Sequence, residues 1–213
     1  FLQLISAKMI KQYGAILLAG GQSSRMGKDK AGLEIEGQTM LERLLLTLHP
    51  LVAETVVMRA TGQTLPHISQ ELKEWISVGW DAEEGRGPLQ GIVDALPLLS
   101  LEIDKVFLIT CDLPYLTGEW LQTLRDIMTD EYDIVCTEED NITNPLLALY
   151  RRPVLEPAAQ LLAAGKRRPL LLWEGWRMAR LSAPEETPWI CRDANTPEEF
   201  QKAQTYFQTK NYD

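Results

Sequence analysis

Apolar positions along this chain switch repeatedly between two periods. YGAILLAG (13–20) is a short apolar run closed by glycine, the pattern of a strand buried on both faces. Leu41, Leu44, Leu45 and Leu48 then recur at helical spacing. ETVVMRA (54–60) and KVFLITC (105–111) repeat the strand signal, and Leu89, Ile92, Val93 and Leu96 repeat the helical one. The stretch from Trp75 to Trp80 follows neither period clearly. Thr117 stands where a cap belongs, before Leu121, Leu124, Ile127 and Met128. Further on, YDIVCT (132–137) and PLLALY (145–150) read as strands, and 154–165 as a helix stopped by Gly165. RMARLS (177–182) and PWICRD (188–193) read as short edge strands. NTPEEF predicts the last helix, with Thr196 as cap, Pro197 in the first turn and Glu199 closing a capping box.

This alternation predicts an α/β fold, a mostly parallel central sheet covered by helices on both faces. No internal repeat or Pro/Gly/Ser linker interrupts it, so 13–213 are expected to form one domain. Residues 1–12 are read as a leader, with Met9 as a candidate native start. In such sheets ligands bind outside the carboxyl ends of the strands. Two motifs begin there: AGGQSSRMGKDK after the first strand, and CDLP after the third.

Composition narrows the chemistry. A formal net charge of -9 argues against duplex DNA or an anionic membrane as partner, though local cations can still hold a small anion. Three widely spaced cysteines without a CxxC pair point to reduced thiols, hence a cytoplasmic protein, rather than a disulfide or zinc framework. With only His49 and His67 present, a histidine metal cluster or a Ser-His-Asp triad has almost nothing to be built from.

Within the first motif, Gly20 and Gly21 allow a sharp turn and close approach of a ligand, while Arg25, Lys28 and Lys30 supply positive charge. A Walker loop does not fit, because five residues separate Gly21 from Gly27 and Lys28 is followed by Asp29. A plain surface turn with solvated cations stays open as the alternative. Asp112, just past a buried strand, is placed to hold Mg²⁺ or simply to cap the next turn. DAEEGRGPLQG (81–91) leads a loop into a helix whose N–H groups can meet a base or phosphate. KRRP (166–169) either complements a helix dipole or helps hold a second anionic substrate.

LAGGQSSRMGKDK, GPLQG, TCDLPYL, NPLLALYRR, AAGKRRPLLL and NTPEE, in this order and spacing, resemble the molybdenum cofactor guanylyltransferases from about Tyr13 to Gln204. The resemblance implies a Rossmann-like three-layer nucleotidyltransferase fold and transfer of GMP from GTP to the phosphate of molybdopterin, with Mg²⁺ as cofactor. Leu18, Ala19, Gly20 and Gly21 would then line the guanine and ribose site, Arg25 and Lys30 would contact phosphates, Asp81 the nucleotide, and Asp112 the metal and nucleotide. Asn144, Lys166, Arg167 and Arg168 would form the pterin side. Molybdoenzymes or other proteins of cofactor assembly would be the protein partners, with no nucleic acid and no membrane. One position departs from the family's usual Asn-x-Asn-Thr-Pro: Asp193 replaces the first asparagine and is a candidate second Mg²⁺ ligand. Two rivals remain. One is a molybdopterin cytidylyltransferase, disfavoured because Gly20 is expected to leave room beside the base for a purine. The other is a nucleotide-binding regulator or chaperone without turnover.

Overall fold

The computed structural model describes residues 12–20, 29–83, 85–139 and 141–210. A seven-stranded sheet organises them. Its strands are β1 (Tyr13–Leu18), β4 (Glu54–Arg59), β5 (Ile76–Trp80), β6 (Lys105–Thr110), β7 (Ile134–Glu139), β8 (Ile142–Arg151) and β9 (Met178–Ser182). β2 (Glu34–Ile35) and β3 (Gln38–Thr39) form a separate hairpin, whose turn places Glu36 and Gly37 at positive φ. The principal helices are α1 (Met40–Leu48), α2 (Gln70–Trp75), α3 (Pro88–Ala95), α4 (Gly118–Ile127), α5 (Arg152–Leu155), α6 (Ala158–Ala163) and α7 (Pro197–Lys210).

The sheet order is β5-β4-β1-β6-β8-β7-β9. All neighbouring pairs are parallel except those made by β8, which runs antiparallel to β6 and β7. Strand alternation sorts the core into two layers. Ala15, Leu17, Val57 and Phe107 meet α1 and α4, while Ile16, Val56, Met58 and Leu108 meet α3, α5 and α6. A third, smaller cluster seats Phe200 and Ala203 of α7 against Ile35, Met40 and Ala194. The expected capping box is present: Glu199 N–H donates to Thr196 Oγ1 at 3.2 Å, and Glu199 Oε2 accepts from the N–H groups of Thr196 and Asn195 at 2.9 and 2.7 Å.

Three local expectations are corrected. PWICRD is not a strand: Pro188–Cys191 form a 3-10 turn, which buries Ile190 and Cys191 against the first layer. The helix expected over 154–165 divides into α5 and α6, because Pro157 has no N–H to carry the ladder through. Gly165, at φ +74, follows the second piece. The unassigned stretch at 75–80 is the end of α2 and the edge strand β5, paired on one side only and therefore without a clean apolar period.

Candidate active site

After β1 the chain turns to β4 on one side of it and only later supplies β6 on the other, so β1 lies at the switch in strand order. The backbone ladder continues past the strand ends. Ala19 N–H donates to Met58 O at 2.8 Å, Cys111 N–H to Leu18 O at 3.0 Å, and Asp81 N–H to Arg59 O at 2.9 Å. The exits of β1, β4, β5 and β6 are thereby held together.

At the end of β6, Asp112 caps no helix; Thr117 caps α4, accepting the Trp120 N–H. The Asp112 carboxylate instead accepts from Thr110 Oγ1 at 2.8 Å and from Lys30 Nζ at 3.2 Å. Lys30 rides on the 3-10 turn Lys30–Gly32, where Asp29 Oδ1 accepts the Ala31 N–H at 3.2 Å. Its ammonium also donates to Asn195 Oδ1, and Asn195 Nδ2 donates to Asp193 Oδ2. Ala194 N–H donates to Asp112 O at 2.8 Å, so the segment before α7 is pinned to the end of β6. Burial, and then the charge of Asp112, raise the pKa of Asp193. Two neighbouring carboxylates balanced by one ammonium are a donor set that suits a small hard cation. Among the described residues no three His, Cys, Asp or Glu cluster into a metal cage, so such a cation would complete its shell with water and substrate oxygens. Cys111 beside them is no nucleophile, since burial pushes its thiol up to about 12.

Next to this group lies a cavity of about 250 Å³, bordered by Leu18, Gly20, Asp81, Gly87, Pro88 and Leu146 among others. Its wall depends on two missing side chains. A Cβ on Gly91 of α3 would fall 2.6 Å from Leu18 Cδ2, so that glycine lets the helix approach β1. A Cβ on Gly20 would fall 2.5 Å from Ala60 N and 2.8 Å from Arg59 C. This corrects the expectation that Gly20 leaves room beside a base: the space is already filled by the backbone leaving β4. Gly20→Ala is expected to lower stability by about 1–3 kcal/mol, the cost of overpacking, and to weaken nucleotide binding with it. Thermal melting and GTP titration check this, and an unchanged variant would remove the steric account.

Asp81 borders the cavity with a partly buried carboxylate that has no hydrogen-bond partner among the described residues. Burial, and secondarily the charge of Asp94, push its pKa up to about 6. Asp94 itself is occupied, accepting from Ala82 N–H and Gln90 Nε2 at 2.8 Å each.

Asn144 lies where the register between β7 and β8 shifts, and its Oδ1 accepts the Leu146 N–H at 2.8 Å, which turns Leu146 toward the cavity. The KRRP cations meet the 81–91 loop: Arg167 Nη1 donates to Gly85 O at 3.2 Å, and Lys166 and Arg167 border a second cavity with Arg86. Arg168 precedes the 3-10 turn Pro169–Trp173 and is exposed. Gly21, Arg25 and Lys28 lie outside the described residues. Three participants escaped the sequence reading: Thr110, Asn195 and Arg59. For Arg59 the available signal was a cation directly after the apolar residues Val56, Val57 and Met58.

The description of the MobA-like NTP transferase domain matches residues 15–179. A probable molybdenum cofactor guanylyltransferase of Bacillus cereus is 30% identical over 202 residues, covering 92% of this chain and 97% of that protein. One of Bacillus anthracis matches over the same extent, also at 30% identity. Among solved structures, the molybdopterin-guanine dinucleotide biosynthesis protein A of Archaeoglobus fulgidus superposes with a TM-score of 0.70, at 20% identity over 92% of this chain and 99% of that one. The fold is thus shared with known nucleotidyltransferases, and the switch-point cavity lies within the matched residues. The chain belongs to the MobA-like NTP transferase family, in the branch of the molybdenum cofactor guanylyltransferases, and is a nucleotidyltransferase.

Proposed function

We propose that this enzyme transfers GMP from GTP to the terminal phosphate of molybdopterin, in the cytoplasm and with Mg²⁺. An oxygen of the acceptor phosphate bonds to the α-phosphorus of GTP, the bond from that phosphorus to the β-phosphate bridge breaks, and pyrophosphate leaves. The observation that carries the reading is the group Lys30, Asp112, Asp193 and Asn195 beside a cavity bordered by the Asp81 carboxylate, which has no hydrogen-bond partner among the described residues.

Each residue has a task matched to its chemistry. Asp81, whose ionised carboxylate accepts through both oxygens and donates through neither, suits the adjacent N1–H and N2–H donors of guanine. Cytosine places an acceptor next to its single exocyclic donor group and fits it less well. Lys30 serves the triphosphate as a compact point charge. Asp112 and Asp193 would hold Mg²⁺, which when bound neutralises charge on the phosphates. Asn144 and Arg167 each bond a residue that borders the base cavity, Leu146 and Gly85, and together with Lys166 and Arg168 they are assigned to the pterin side. The acceptor phosphate is already largely ionised at neutral pH, with a second pKa of about 6, so no protein base is required. Alignment and charge neutralisation are what remain for the protein to supply.

Thermal melting with GTP, CTP or ATP, each with and without Mg²⁺, tests nucleotide choice. A ligand at a hundred times its Kd stabilises by about 2.7 kcal/mol, which raises the midpoint of a domain this size by about 5–10 °C. The rise is expected with GTP and Mg²⁺. A preference for CTP would make the enzyme a cytidylyltransferase, and GTP binding without transfer to molybdopterin would leave only the regulator reading.

A further inference from the structure

We infer that Arg59 is a positioning residue that ties Ala19 to Asp29, the described flanks of the nucleotide loop, and so sets Lys30 without touching the nucleotide. The inference rests on the reading of that loop as the nucleotide site. Arg59 closes β4 and is fully buried, an unusual place for a guanidinium in a core strand. Its two Nη groups reach both ends of the loop and the Thr64 carbonyl. Nη1 donates to Ala19 O, on the flank that leaves β1, and at 3.2 Å to Asp29 Oδ1, on the flank that returns. Nη2 donates to Asp29 Oδ2 and, at 3.1 Å, to Thr64 O.

Asp29 carries the effect onward. The same carboxylate that receives the fork caps the 3-10 turn bearing Lys30. The position of the Lys30 ammonium over Asp112 and Asn195 therefore follows from the Arg59–Asp29 pair. The backbone of Arg59 also accepts the Asp81 N–H, so one residue spaces the base-side carboxylate from the phosphate-side ammonium. A planar fork fixes that spacing in two directions, whereas a lysine would make a single-point contact. Buried charge without this partner would be costly, so the pair is retained or lost as a unit.

The test measures GTP affinity at 10 °C, well below melting, for Asp29→Asn, Arg59→Lys, Arg59→Met and the double variant Asp29→Asn/Arg59→Met. Asp29→Asn keeps the cap to Ala31 but strips the buried guanidinium of its carboxylate, whereas Arg59→Met leaves only the partly exposed Asp29 unpaired. Arg59→Met and the double variant, which removes both charges, therefore keep the test open if Asp29→Asn does not fold. Asp29→Asn is expected to raise Kd and KM for GTP about 10–100-fold, the scale of a misplaced site, with KM for molybdopterin unchanged. Arg59→Lys should recover part of the affinity that Arg59→Met loses, and the double variant should be no weaker than the worse single one. Wild-type GTP affinity in folded Asp29→Asn or in folded Arg59→Met, or fully additive losses, would overturn the proposal. If the wild-type protein itself binds no nucleotide, the underlying site reading fails instead.

Discussion

Replacing Asp112 with asparagine is expected to lower turnover by at least about a hundredfold, the scale seen when one electrostatic contributor to a transition state is removed. The fold should survive, with the melting midpoint moved by only a few degrees. The local bonds explain both halves of this result. Asparagine keeps an acceptor for Thr110 Oγ1, and Lys30 keeps its contact with Asn195. The lost attraction to Lys30 is offset in part by lost repulsion, since the charge of Asp112 is one reason the pKa of Asp193 is raised. What does not survive is a hard anionic donor at the end of β6. Steady-state rates with GTP and molybdopterin, beside melting curves, check the prediction. A variant that turns over normally would remove Asp112 from the chemistry, and one that unfolds would make its role structural.

The sequence carried this site unevenly, and the reasons are local. Strand ends were legible because buried apolar runs stop abruptly, which brought Gly20 and Asp112 to attention. The start of α7 was legible because a capping box is a local signal, two residues three positions apart. That the box also aims Asn195 at Lys30 was not, since the two are 165 positions apart and only the closed fold joins them. Gly20 was recognised as special, but the room it was expected to leave beside a base is taken by the backbone of Ala60, which no local pattern reveals. Arg59 was passed over because a cation after apolar residues ordinarily marks a strand leaving the core. Here the strand ends inside it, and the charge is matched by Asp29 from a different segment. Interactions that depend on a partner far along the chain are the ones that single-sequence periodicity cannot express.

The same trade between folding and binding makes Asp81→Asn informative at two pH values. In the folded protein the carboxyl holds its proton up to about 6, against an ordinary 3.8, chiefly through burial and then through Asp94. A folded pKa above the unfolded one means that the ionised group costs stability. The cost is complete above about pH 6 and vanishes below about pH 4, where both states carry the proton. A shift of two units corresponds to at most about 3 kcal/mol, and solvent screening at a partly open site brings it toward about 1 kcal/mol. Asp81→Asn should therefore raise the melting midpoint at pH 8 by about 2–4 °C and leave it unchanged near pH 4. It should also weaken GTP about a hundredfold or more, because the amide offers one acceptor where guanine presents two donors, and its N–H₂ opposes one of them. In the wild-type protein GTP affinity should fall as pH drops through about 6, since protonation removes the same acceptor. Melting at both pH values and GTP titration across the range read these effects separately. Stabilisation without loss of GTP would leave the burial argument standing and remove Asp81 from base recognition. Loss of GTP without stabilisation would show that the carboxylate is not held at a cost, and that its contact with the nucleotide needs no strained ground state.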